Sequence, residues 1–207
     1  MTINLPNKLT LFRLALVPVF ITVLYFDGFL AYLLALLVFV TGVVTDYYDG
    51  KLARRHGMET NFGKLFDPVA DKILICAAFV MFLRIDVLMF PAWAVILVLA
   101  REFIIMGLRA LAACEGQIIG AERWGKMKAG WQMACAITAL SLLMIRSLML
   151  IFDRAGYFST EPFLGWFDLG MRLTVWALML IVVWLTISSG IHHLIKNRDF
   201  FFRPGAM

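Results

Sequence analysis

The chain has 207 residues, of which 62% are hydrophobic and 16% charged, with a mean hydropathy of +0.87 and a formal net charge of +5 at pH 7. That composition excludes an ordinary soluble domain and points to an all-α integral membrane protein. The basic excess does not suggest a nucleic-acid partner, because the Lys and Arg residues are spread through short segments between apolar stretches; anionic lipid and phosphate suit them better.

The N-terminal run MTINLPNKLTLFRLALVPVF has a short basic region before its apolar part and no small-residue cleavage site, so it reads as a retained segment. Ile3 to Arg13 mixes apolar residues with Asn7, Lys8, Thr10 and Arg13, a pattern expected of an interfacial helix that then turns into the membrane. Apolar segments follow near residues 11–26, 29–45, 69–83, 87–108, 130–152 and 171–195, which predicts six transmembrane helices. The second has no breaker before Gly57, so it is expected to run on past Arg54. From Phe29 to Arg55 it would measure roughly 40 Å, against roughly 30 Å of hydrocarbon core, and so would project from the bilayer. The third is short if counted from Val69, so its helix is expected to start near Asp67 with Pro68 in the first turn.

Placing the N-terminus, the loops after helices two and four and the C-terminal tail on one side gathers all the Lys and Arg residues except Arg84, Arg146, Arg154 and Arg172. The positive-inside rule makes that side cytoplasmic, with both termini on it, as in a multi-pass protein of the plasma (inner) membrane. No repeat or low-complexity segment divides residues 1–207, which read as a single membrane domain. Cys76, Cys114 and Cys135 are odd in number and lack CxxC spacing, so no disulfide framework is expected. His56, His192 and His193 lie in basic segments without a second ligand at suitable spacing, and are expected at the surface or on headgroups. Glu102, within an apolar helix, is expected to pair with Arg101 or Arg109.

The run from Asp46 to Asp71, DYYDGKLARRHGMETNFGKLFDPVAD, carries the chemistry. Asp46 and Asp49 are spaced i,i+3, and Asp67 and Asp71 i,i+4, so each pair projects from one face of a helix. Four carboxylates gathered at a membrane edge repel one another unless hard divalent cations neutralise them. Oxygen-only donors point to Mg, Mn or Ca and away from zinc. Magnesium-type ions complete their shell with substrate phosphate, which leads to metal-assisted phosphoryl chemistry at a bilayer surface.

Asp46, Asp49, Gly50, Ala53, Arg54, Gly63, Asp67 and Asp71 together resemble the signature of the CDP-alcohol phosphatidyltransferase family, D-x2-D-G-x2-A-R-x8-G-x3-D-x3-D, at every fixed position. The resemblance implies that CMP is displaced from a CDP-linked lipid by a second alcohol. It also implies two Mg2+ or Mn2+ per active site held by Asp46, Asp49, Asp67 and Asp71, with Asp71 also the general base, and it favours a homodimer. Small side chains at Gly50 and Ala53 would let a nucleotide approach the helix backbone, Arg54 offers a forked donor to phosphate, and bulk at Gly63 would intrude on the same space. Asn7, Thr10 and Arg13 resemble a family pattern near the nucleotide, which adds Asn7 and Thr10 to the CDP-binding set. The segments LPNKLTLFRLALVPVF and AREFIIMGLRALAACEGQIIGAERWGKMKAGWQM resemble members that use CDP-diacylglycerol as donor and glycerol 3-phosphate as acceptor. A phosphorylated acceptor needs cations, and Arg101, Arg109, Lys126 and Lys128 are the candidates; Ala129 departs from the threonine often found there. Serine, inositol phosphate or phosphatidylglycerol remain alternative acceptors. A divalent-cation transporter is the alternative from another class, but it would place acidic residues at mid-span on several helices.

Overall fold

The structure, a computed structural model, describes the backbone of residues 5–56, 61–114, 123–155 and 163–196, and the side chains of residues 11–45, 72–112, 125, 127–155 and 163–196. Among the described residues there is no strand: α1 (Leu5–Tyr25), α2 (Phe29–His56), α3 (Asn61–Phe82), a 3-10 turn (Asp86–Leu88), α4 (Ala92–Cys114), α5 (Arg123–Arg154) and α6 (Phe163–Lys196) follow in order. This is the all-helical architecture that hydrocarbon demands, since a helix satisfies its own backbone. By length and composition α5 from Met127 and the whole of α6 can cross a membrane. Many large apolar side chains are exposed, among them Leu30, Ile96, Leu173, Trp166 and Trp184; lipid would solvate those faces, whereas water would not.

The helix ends explain where the apolar segments stop and start. α1 is continuous from Leu5, so the N-terminal stretch is helical and joins the first apolar segment without a break. Gly28 turns the chain at φ +128, and its carbonyl accepts the Tyr32 amide at 3.0 Å as α2 begins. α2 runs 28 residues, about 42 Å at 1.5 Å per residue, and carries the first aspartate pair beyond its apolar part as the sequence predicts. Within it the hydroxyls of Thr41 and Thr45 donate to the carbonyls four residues earlier, each at 2.7 Å, which satisfies them without leaving the helix.

Two predicted starts are corrected. α3 begins at Asn61 and not near Asp67, so Pro68 lies inside the helix and removes one amide donor from it. The apolar window marks only where hydrocarbon begins, while the helix extends into the polar sequence before it. α4 begins at Ala92, later than the predicted boundary near residue 87, because Pro91 intervenes. Its carbonyl accepts the amides of Ala94 and Val95 at 3.1 and 3.2 Å, and before it Met89 adopts a left-handed φ of 47.

The chain divides into two compact units. The first (Met1–Phe90, Met133–Trp176) packs α1, α2 and α3, with Phe20 against Phe39 at 5.9 Å and Phe90 between Phe79 and Phe82 at 5.6 and 5.4 Å. Its connecting segments are tied by side chains that reach carbonyls: Arg84 Nη1 donates to Leu24 at 3.2 Å, Arg172 Nε to Val87 at 3.0 Å and Trp176 Nε1 to Met89 at 2.8 Å. Leu24 is in the last turn of α1, where carbonyls lack helical partners. The second unit (Pro91–Gln132, Ala177–Met207) holds α4, the start of α5 and the end of α6.

Gly42 sets the approach of α2 to α3: a Cβ there would lie 2.4 Å from Leu74 Cδ2. Gly42→Val should therefore destabilise the protein by about 1–3 kcal/mol through overpacking. Combining it with Leu74→Ala should cost less than the sum of the single changes, because both act on one contact. Thermal unfolding in detergent of the two single variants and the pair measures this; additive losses would show that Gly42 does not govern that approach.

Candidate active site

Both aspartate pairs are carried on helical backbone in the first unit. Asp46, Asp49, Gly50, Ala53 and Arg54 belong to α2, and Gly63, Asp67 and Asp71 to α3. Their side chains, with those of Asn7 and Thr10 on α1 and Lys126 on α5, lie outside the described ones. Spacings of i,i+3 and i,i+4 on helices keep each pair on one face. A set made only of carboxylates suits a hard, oxygen-seeking divalent cation. Among the residues whose side chains are described, no group of three or more His, Cys, Asp or Glu comes together.

Arg13, which the sequence groups with Asn7 and Thr10, is only 3% exposed. It lines a void of about 20 Å³ with Phe39, Gly42, Val43, Leu74, Ile75 and Met133. Arg13 is thus an interior residue of the first unit rather than an interfacial anchor.

The cationic candidates described in the second unit have distinct surroundings. Lys128 is 1% exposed and its ammonium pairs with the equally buried Glu102 carboxylate, on which Gln132 Nε2 also lies at 3.5 Å. Of the two partners expected for Glu102, Arg101 and Arg109, Arg101 is a more distant companion than Lys128: its Nη1 is 3.7 Å from Glu102 Oε1, while its Nη2 donates to Ser189 Oγ at 3.0 Å. Arg109 is half-buried, and its Nε is shielded with no hydrogen-bond partner among the described residues. The Nε of Arg101 is shielded in the same way, but Arg101 has Ser189 on its Nη2 and Lys128 has a counter-charge.

Gln132 escaped the sequence reading, although its i,i+4 spacing from Lys128 places both on one face of α5. Ser189 carried no signal at all, because a serine in an apolar helix is unremarkable until a partner is known. His193 corrects an expectation: it is 2% exposed, not a surface residue, because its position in α6 turns it inward.

Residues 3–186 match the sequence profile of CDP-alcohol phosphatidyltransferases. The chain belongs to the CDP-alcohol phosphatidyltransferase family. Among curated relatives of this family, the chain is 40% identical over 151 residues to a CDP-diacylglycerol--glycerol-3-phosphate 3-phosphatidyltransferase of Bacillus subtilis, covering 67% of this chain and 77% of the relative. A protein of the same description from Rickettsia felis is 41% identical over 145 residues, 70% of this chain and 76% of its own. A probable phosphatidylglycerophosphate synthase of Mycobacterium tuberculosis is 42% identical over 128 residues, 60% of each chain. Membership gives the eight-position run on α2 and α3 its meaning as the family's signature.

The buried Glu102–Lys128 pair allows a sharp test of its energetics. Glu102→Gln should lower stability by about 3–5 kcal/mol, because it removes the carboxylate charge that meets a buried ammonium. Adding Lys128→Met should recover most of that loss, since both charges are then gone. Melting curves in detergent decide it, and an unrecovered double variant would mean that Lys128 does not depend on Glu102.

Proposed function

We propose that this transferase moves the phosphatidyl group of CDP-diacylglycerol to glycerol 3-phosphate, giving phosphatidylglycerophosphate and CMP. The observation that carries the reading is the complete eight-residue signature on α2 and α3, together with relatives near 40% identity that are described by that reaction. In this reading residues 1–207 act as one six-span domain, a homodimer in the inner membrane, with the aspartates and both termini cytoplasmic.

Asp46, Asp49, Asp67 and Asp71 would hold two divalent ions, Mg2+ or Mn2+. When bound, these supply charge stabilisation for the diphosphate and its departing oxygen. Gly50, Ala53, Gly63, Asn7 and Thr10 would border the cytidine diphosphate, and Arg54 would take its phosphate oxygens in a forked contact. Asp71 would accept the proton of the glycerol hydroxyl, whose oxygen attacks the phosphorus bearing diacylglycerol. One phosphorus–oxygen bond forms, the bond to CMP breaks, and the proton resides on the carboxylate.

The acceptor's own phosphate would be met by Arg109, with Arg101, Lys126 and Lys128 around it. Arg101 is engaged by Ser189 and Lys128 by Glu102, whereas no hydrogen bond engages Arg109 Nε among the described residues, which supports giving Arg109 the leading part.

Purified protein in detergent, given CDP-diacylglycerol and labelled glycerol 3-phosphate, should form lipid product only with Mg2+ or Mn2+. Serine, inositol phosphate and phosphatidylglycerol should compete poorly. Asp71→Asn should lower kcat by about 10²–10⁴-fold, the usual contribution of a general base. Product without divalent metal, or full turnover by Asp71→Asn, would overturn the mechanism.

Arg109→Ala should raise KM for glycerol 3-phosphate about 10- to 100-fold, as expected for one lost charge-assisted contact, while KM for CDP-diacylglycerol barely moves. Equal effects on both substrates would remove Arg109 from the acceptor site.

A further inference from the structure

Two adjoining cavities occupy the end of the first unit where α1 passes to α2, and they share Asp27, Gly28, Phe29 and Ile151. This end is far from the signature run: Asp46 lies roughly 25 Å along α2 from Phe29 at 1.5 Å per residue. One cavity, about 520 Å³, lies along α1 and α2 and is walled mainly by apolar side chains, including Val23, Phe26, Leu30 and Leu34. The other, about 260 Å³, sets Arg146, Ser147 and Arg154 of α5 around Asp27 and Tyr32.

The charges of the smaller chamber cancel except for one. Arg146 gives Nε and Nη2 to the two oxygens of Asp168 at 2.7 and 3.1 Å, which leaves Nη1 outside that pair. Asp27 accepts the Tyr32 hydroxyl at 3.1 Å and lies 3.9 Å from Arg84 Nη2. Arg154 is exposed, and no hydrogen bond or ion pair engages its side chain among the described residues. Asp153 is its neighbour in sequence but lines neither cavity. Among the described residues the result is a polar chamber with one positive charge that no ion pair meets and the Ser147 hydroxyl, opening on an apolar groove of a size typical for organic ligands.

We propose that this composite site binds one anionic phospholipid, with its phosphodiester at Arg154 and Arg146 Nη1 and an acyl chain along the groove of α1 and α2. A free phosphate would leave the groove unused. A zwitterionic lipid would bring an ammonium into a chamber that is already positive. The site is separate from the proposed catalytic residues and does not rest on the reaction assigned to them.

Native mass spectrometry of the full-length protein in detergent, with phosphatidylglycerol, phosphatidylethanolamine or inorganic phosphate added, tests the proposal. The wild type should retain one phosphatidylglycerol in preference to phosphatidylethanolamine, and millimolar phosphate should not displace it. Arg154→Glu, at an exposed position, should keep the wild-type melting temperature without added lipid. It should weaken phosphatidylglycerol retention about tenfold, since each basic side chain contributes modestly to anionic-lipid binding and the charge is reversed. Ala31→Trp, which fills the groove, should abolish retention with the arginines intact. Equal retention of both lipids by the wild type, undiminished retention by Arg154→Glu, or displacement by phosphate alone would each overturn it.

Discussion

A polar group inside hydrocarbon is costly unless the protein itself satisfies it, and the polar side chains of this chain are arranged around that constraint. Glu102 and Lys128 sit almost wholly buried and meet each other. Arg146 and Asp168 make a two-pronged pair. Arg84, Arg172 and Trp176 donate to carbonyls that no helix satisfies. The four signature aspartates escape the constraint differently, because α2 and α3 extend as helix beyond their apolar parts.

This arrangement separates two uses of charge. A buried pair such as Glu102–Lys128 adds little to stability relative to an apolar replacement, but it fixes which helix faces meet. The signature aspartates instead lie on two helices at i,i+3 and i,i+4 spacing, so each pair shares one helix face. Arg109, whose shielded Nε has no hydrogen-bond partner among the described residues, contrasts with the mutually paired Glu102 and Lys128.

The helical class, the extension of α2 through Asp46 and Asp49 and the family signature were all legible in the sequence. They depend on local period and on spacing within a single segment, and those survive without knowledge of the fold. The starts of α3 and α4 were not legible from hydropathy, because a helix obeys backbone hydrogen bonding and proline placement, and its ends need not coincide with the edge of apolar sequence. Pro91 was the available signal for α4. For α3 the proline was misleading, since Pro68 lies inside the helix.

The sequence by itself determined the reaction class, since eight fixed positions over one short run carry the whole signature and their spacing on helices needs no distant partner. It also determined that Glu102 must find a cation. Only the tertiary structure decided that the cation is Lys128 with Gln132 beside it, that Arg101 turns to Ser189, and that Arg13 and His193 lie inside. Which opposite charges meet depends on helix rotation and packing between segments far apart in the chain, and composition and periodicity do not contain that information.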